Sequence, residues 1–294
     1  MKLTNRNRLP DAIVAAIQND SYTKGDADIS VTELLTPPQL RALKLKHYDE
    51  LEEDVSDRIW SLLGQSVHTI IERATEGLAG VVAEMTLNSE YLGWKIKGQT
   101  DNIVLTAGEL LDFKVTSAWK VRGETPPLEW VQQTNIYRRL AKKEKGIEIS
   151  SIRVIAILRD WSKNESLRNQ DYPQAQVKSF DIPVWSDSEA DAFIEERIRL
   201  HQASEPAPCS DYDIWAKPDK YAVMKRGNVR AVKLFEYADE AHDLAATASN
   251  LYVEHRPGEA TRCQSWCPVS RFCPQWAADP RNKTQQIQEN LFSA

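Results

Sequence analysis

After a glycine break at 77–80, the segments VVAEMTL, YLGWKIKGQTDNIVL and ELLDFKVT mix apolar and polar residues in short runs bounded by turn residues. That pattern predicts successive β-strands. A helical period takes over across 128–145, SIRVIAIL and QVKSFDIPVW return to strand, and 187–202 is helical again. Upstream, VTELL and QLRALKLKHYDELEED read as short helical pieces broken by Pro37 and Pro38, and 57–75 carries an apolar stripe at helical spacing. Strands alternating with covering helices predict an α/β fold with a mixed central sheet flanked by helices. Further on, YAVMKRGNVRAVKLF predicts two strands around a glycine turn. The expected organisation is an extension at 1–29, a core at 30–205, and a small cysteine-containing module at 206–294 packed on that core.

A chain of 294 residues is long enough for one substantial core and an appendage. It contains no apolar run long enough to cross a bilayer, and its opening residues lack the apolar segment and cleavage site of an export signal. The cell interior is the expected compartment. A formal charge of −6 argues against a surface coated with cations for indiscriminate nucleic-acid binding, while leaving room for a local basic groove.

The candidate chemistry lies in His68, Asp101, Asp112 and Lys114, followed by Gln133 and Tyr137. Residues two apart on a strand share a face, so Asp112 and Lys114 converge while the Phe113 side chain turns away. Asp101 and Asp112 offer hard oxygen ligands to magnesium or manganese, His68 a nitrogen, and the Phe113 carbonyl another oxygen. Lys114 is then placed to steady attacking water or a charged transition state. Gln133 and Tyr137 are one helical turn apart and can jointly support a phosphate, a water or Lys114. Taken singly, each motif also has a plain structural reading. His68 and Glu72 form a surface pair on a helix, Asp112 and Lys114 an ordinary charge pair, and Tyr137 part of a helix–sheet interface.

Taken together, GQSVH ending at His68, GQTD ending at Asp101, DFK at 112–114 and QTNIY at 133–137 resemble the PD-(D/E)XK nuclease superfamily, in particular its RecB-like branch with the QxxxY motif. The resemblance implies a restriction-endonuclease-like sheet and metal-dependent cleavage of DNA. It further implies that His68, Asp101 and Asp112 are metal ligands, that Lys114 is catalytic, and that Gln133 and Tyr137 support the site. Glu84 resembles a further acidic position on an early strand. VTELLTPPQ, WSLLGQSVHTIIE, YAVMKRGNVRAV and RPGEATRCQSWCPVSRFC are similar to phage-encoded members of the branch. That context implies an exonuclease of DNA recombination, repair or end processing in the bacterial host cytoplasm, with a phage recombination protein or a helicase as partner. A structure-specific endonuclease and a nonenzymatic DNA-binding recombination protein are the alternatives. Oligomeric state is left open.

Cys209, Cys263, Cys267 and Cys273 are the only cysteines. Four thiolates suffice for a [4Fe–4S] cluster or for structural zinc. Iron–sulfur nucleases related to the RecB-like branch bracket the core with one cysteine before it and three after, whereas here Cys209 follows the core. A candidate DNA track runs through Lys120, Arg122, Arg138, Arg139, Lys142, Lys143 and Lys145, each of which also reads as part of a solvated helix face. Trp119, Trp130, Trp161, Trp266 and Trp276 are expected to serve packing.

Overall fold

The computed structural model describes residues 1–19 and 24–282, and the rest of the expected extension and cysteine module lies outside them. The chain divides into two compact units, one of residues 1–36 and 52–205, the other of 37–51 and 206–294. Among the described residues no helix is long and apolar enough to cross a membrane.

The first unit is a mixed α/β sheet flanked by helices. Its elements are β1 (Ile29–Ser30), α1 (Val31–Leu35), α2 (Ile59–Thr75), β2 (Val81–Tyr91), β3 (Trp94–Val104), β4 (Glu109–Thr116), α3 (Leu128–Lys145), β5 (Ser151–Leu158), β6 (Val177–Asp181) and α4 (Asp187–Gln202). Leu92 and Gly93 both take positive φ and join β2 to β3 in a two-residue turn, with Tyr91 paired to Trp94. Such turns match the twist of the strands they connect. β4 and β5 run parallel, with α3 as the crossover, and β6 returns antiparallel to β5. The strands and long helices expected from the periodicity are all present.

β3 is the strand on which the site depends. One edge pairs with β2 from Trp94 to Val104. The other edge must therefore receive both β1, at Ile96 and Lys97, and β4, at Asn102 to Val104. Gly98, Gln99, Thr100 and Asp101 lie between those partners, on a stretch of edge that no strand covers among the described residues.

Packing from α3 fixes what enters that stretch. Trp130, Thr134, Tyr137 and Ala141 recur at helical spacing and are buried together with Ile136 and Leu140. Gly146, in the left-handed conformation, ends the helix after the lysine-rich last turn. A capping box of Ser186 and Glu189 starts α4, which buries Ala190 and packs Ile194 and Ile198 into the same core. A Cβ on Gly98 would sit 3.0 Å from both the Tyr137 ring and the Val31 side chain. Glycine is thus needed in β3 because an aromatic ring rests against the backbone itself.

The second unit holds an antiparallel sheet of β7 (Lys220–Lys225) between β8 (Lys233–Phe235) and β9 (Leu251–Arg256), with helix α5 (Ala238–Ala246) against it. Helix Pro38–Lys46 belongs to this unit, and its Leu43 packs on a small cluster of Ile214, Ala260, Cys273 and Trp276.

Gly98→Ala is expected to displace Tyr137 by a few tenths of an ångström and to lower stability by about 1–3 kcal/mol, the ordinary range for overpacking. Chemical denaturation of the two proteins measures it.

Candidate active site

The open edge of β3 forms the floor of a cleft of about 730 Å³. Its lining includes Gln65, His68 and Glu72 from α2, Glu84 from β2, Lys97, Gln99 and Asp101 from β3, Asp112 and Lys114 from β4, and Gln133 and Tyr137 from α3. His68, Asp101, Asp112, Lys114, Gln133 and Tyr137 are thus brought to one place, and Phe113 joins the site through its backbone.

Where β3 and β4 part, the Phe113 amide would lose its ladder partner, and buried amides must find one. Asp101 supplies it, accepting from Phe113 N at 2.6 Å through Oδ2. Phe113 thus contributes its N–H to holding Asp101, in addition to the carbonyl that the sequence offered. The other Asp101 oxygen, Oδ1, lies 3.2 Å from His68 Nδ1. The hydrogen bond from Asp101 raises the His68 pKa above that of ordinary histidine, against the opposing effect of burial.

Glu84 completes the group. Its Oε1 is 3.9 Å from His68 Nδ1 and its Oε2 accepts from Gln99 Nε2 at 2.6 Å. Burial, and then the neighbouring Asp101, push the Glu84 carboxyl above the usual range. Glu84 has φ +47, in the left-handed region, at the point where β2 passes Asp101 and one pair drops out of the β2–β3 ladder. A non-glycine residue held there costs on the order of 1–3 kcal/mol, and such strain concentrates at functional positions. No sequence signal announces that conformation, although the acidic residue itself could be noticed.

Asp112 is 1% exposed and Lys114 is its counter-ion, with Nζ 2.9 Å from Oδ1 and 2.7 Å from Oδ2. Only the Oδ1 contact has hydrogen-bond geometry, which leaves Oδ2 buried without a hydrogen bond. Burial drives the Asp112 carboxyl upward and Lys114 opposes it. On α3, Gln133 Nε2 donates to the Tyr137 hydroxyl at 2.8 Å, so the two act as a hydrogen-bonded pair at the cleft wall.

One ligand atom each from His68, Glu84 and Asp101 lies within 4.8 Å of the other two. One imidazole nitrogen and carboxylate oxygens suit a hard or borderline divalent cation. The Asp112 oxygen without a hydrogen bond is a further donor in the same cleft. The residues present therefore fit magnesium or manganese, with Glu84 drawn more directly into the group than the sequence suggested.

The candidate DNA track on α3 is otherwise employed. Arg138 is buried and bonds the Ile149 carbonyl and Asp187, Arg139 pairs with Asp191, and Lys142 pairs with Glu148 and Asp187. Lys143 lies over the Tyr91 ring, Lys145 pairs with Glu144, and Lys120 with Glu129. Arg138, Arg139 and Lys142 thereby tie α3 to α4 and to the segment before β5.

No family model matches the chain, and no curated protein matches it. Among solved structures it is similar to SSO0001, at 16% identity over 69% of this chain and 89% of that one, TM-score 0.47. It is also similar to a phage-related exonuclease from Haemophilus somnus 129PT, at 13% identity over 65% of this chain and 78% of that one, TM-score 0.29. The chemistry of the cleft is accordingly read from its own residues.

In the metal-free protein, the His68 imidazole is expected to stay protonated to a higher pH than a free histidine, its ion pair with Asp101 being lost as pH rises through that raised value. Asp101→Asn should bring the midpoint down. Histidine NMR titration of both proteins reads the difference.

Proposed function

We propose that this protein is a divalent-metal-dependent DNA nuclease. The observation that carries the reading is the convergence of His68, Glu84 and Asp101 with the Asp112–Lys114 pair on an uncovered strand edge in an open cleft. His68, Asp101 and Asp112 would hold magnesium or manganese, joined by Glu84 and by the Phe113 carbonyl. The bound ion would supply charge neutralisation at phosphate and acidify water.

The protein's own groups do the rest. Asp101 is oriented by the Phe113 amide, and His68 is oriented by Asp101. Lys114, anchored by Asp112, presents an ammonium to the phosphate as negative charge builds on it. Gln133 and Tyr137 fix the cleft wall beside it. Water adds to phosphorus and releases a proton to solvent, the bond to the leaving ester oxygen breaks, and that oxygen takes up a proton from solvent, with no covalent enzyme intermediate. The sequence motifs support assignment to the RecB-like branch and action as an exonuclease in phage DNA recombination, repair or end processing, with a recombination protein or helicase as partner.

Cys209, Cys263, Cys267 and Cys273 are all unpaired by disulfides and line one small cavity in the second unit. Burial pushes the Cys209 thiol up to about 12 and the Cys263 thiol up to about 11, so neither is a ready surface nucleophile. We extend the proposal to a [4Fe–4S] cluster, or zinc in its place, that these four thiolates would hold and that would pin the chain segments of this unit together.

Anaerobically purified protein is expected to cut linear single- or double-stranded DNA with magnesium or manganese and to contain iron and sulfide, or zinc. Covalently closed circles should survive if ends are required, and their cutting would instead indicate an endonuclease. Asp101→Asn should lose more than about a hundredfold in rate, and Lys114→Met roughly 10²- to 10³-fold. Intact DNA on every substrate, from folded protein that still binds it, would replace the nuclease reading with a DNA-binding one.

A further inference from the structure

At the carboxyl ends of β4 and β5 the surface changes character. The two strands are parallel and paired through Thr116 and Leu158, so the segments leaving them emerge at the same end of the sheet. Arg159 N bonds the Thr116 carbonyl at 3.0 Å, and Asp160 accepts from Ala118 N at 2.7 Å, which ties the two exits together.

Two tryptophans stand in the open here. Trp119 is 72% exposed, and the Arg122 guanidinium lies over its ring at 3.9 Å. Trp60, at the start of α2, is 57% exposed and meets the Arg159 guanidinium at 4.7 Å. Neither arginine has a carboxylate partner among the described residues, in contrast to Arg138, Arg139 and Lys142 of α3, and Arg122 Nε makes no hydrogen bond. Trp130 and Trp276, by comparison, are buried as packing residues should be. Exposing two indole rings forgoes the largest apolar burial a side chain can offer, which the fold gains nothing by doing.

Both tryptophans lie on segments that also carry residues of the cleft. Trp119 lies on the segment leaving the strand that carries Asp112 and Lys114. Trp60 lies eight residues before His68 on α2, about 12 Å along the helix axis at 1.5 Å per residue. That span equals roughly three to four nucleotides at the 3.4 Å spacing of a stacked strand.

We propose that Trp60 and Trp119, with Arg159 and Arg122, form a stacking platform for unpaired bases of a single-stranded DNA segment leading into the cleft. Indole faces accept any base, and the guanidinium groups attract the phosphates between them. The inference rests on the reading of the cleft as a DNA site and names its substrate as DNA with an unpaired stretch. Bases in a duplex are stacked on one another and cannot use the platform.

The test is equilibrium binding by fluorescence anisotropy in chelator, where no cleavage occurs. The probes are an oligothymidylate, an abasic oligomer of the same length and charge, and a blunt duplex. Wild-type protein should bind oligothymidylate more tightly than the abasic oligomer. Trp60→Ala and Trp119→Ala should each weaken oligothymidylate binding by about tenfold, remove the preference over the abasic oligomer, and leave duplex binding unchanged. Trp119→Phe should restore much of the loss. Equal binding of thymidylate and abasic oligomers by wild type, or parallel losses on oligothymidylate and duplex, would overturn the platform. A platform that behaves as expected in a protein that cuts nothing with magnesium or manganese would sink the nuclease reading alone.

Discussion

The uncovered stretch of β3 is the constraint from which the rest of the site follows. Because β2 occupies one edge along the full strand, β1 and β4 must share the other, and they leave Gly98 to Asp101 between them. Backbone groups at a parted ladder still need partners. The Asp101 carboxylate meets that need for Phe113, and in doing so it is fixed in position beside His68. Architecture and chemistry are satisfied by the same hydrogen bond.

Charge is arranged around this stretch by the same economy. Negative groups collect where a cation can join them, and the ammonium of Lys114 among them is held by a carboxylate buried almost completely. Leaving Asp112 without that partner would strand a charge in a low-dielectric site. The cations of α3, by contrast, are used in pairs that lock the helix to its neighbours. A net charge of −6 is therefore compatible with a nucleic-acid surface confined to the cleft and its rim.

The strands and helices were legible because period and punctuation agree with burial. β4 alternates as Leu110, Asp112 and Thr116 turn inward, and α3 buries one face at helical spacing. The site was legible to the same extent, since residues two apart on a strand and four apart on a helix must share a face. What sequence could not supply depends on tertiary context. Glu84 matters through a left-handed backbone that only the passing strand imposes, and the exposure of Trp119 reflects how two strand ends are tied. Gly98 lay within reach, because a glycine inside a strand pattern signals a close approach by another group. The basic run of α3 does not by itself reveal its use, because Arg138 and Arg139 find their carboxylates in Asp187 and Asp191, 49 and 52 residues away.

The proposed role of His68, Glu84 and Asp101 as holders of a divalent cation is tested most directly by manganese binding. Free manganese can be followed by electron paramagnetic resonance as protein is titrated in, without any DNA present. Saturable binding by the wild-type protein is expected, weakened at least about tenfold by each of His68→Ala, Glu84→Gln and Asp101→Asn. Binding that is absent in folded wild-type protein, or unchanged by those three substitutions, would contradict it.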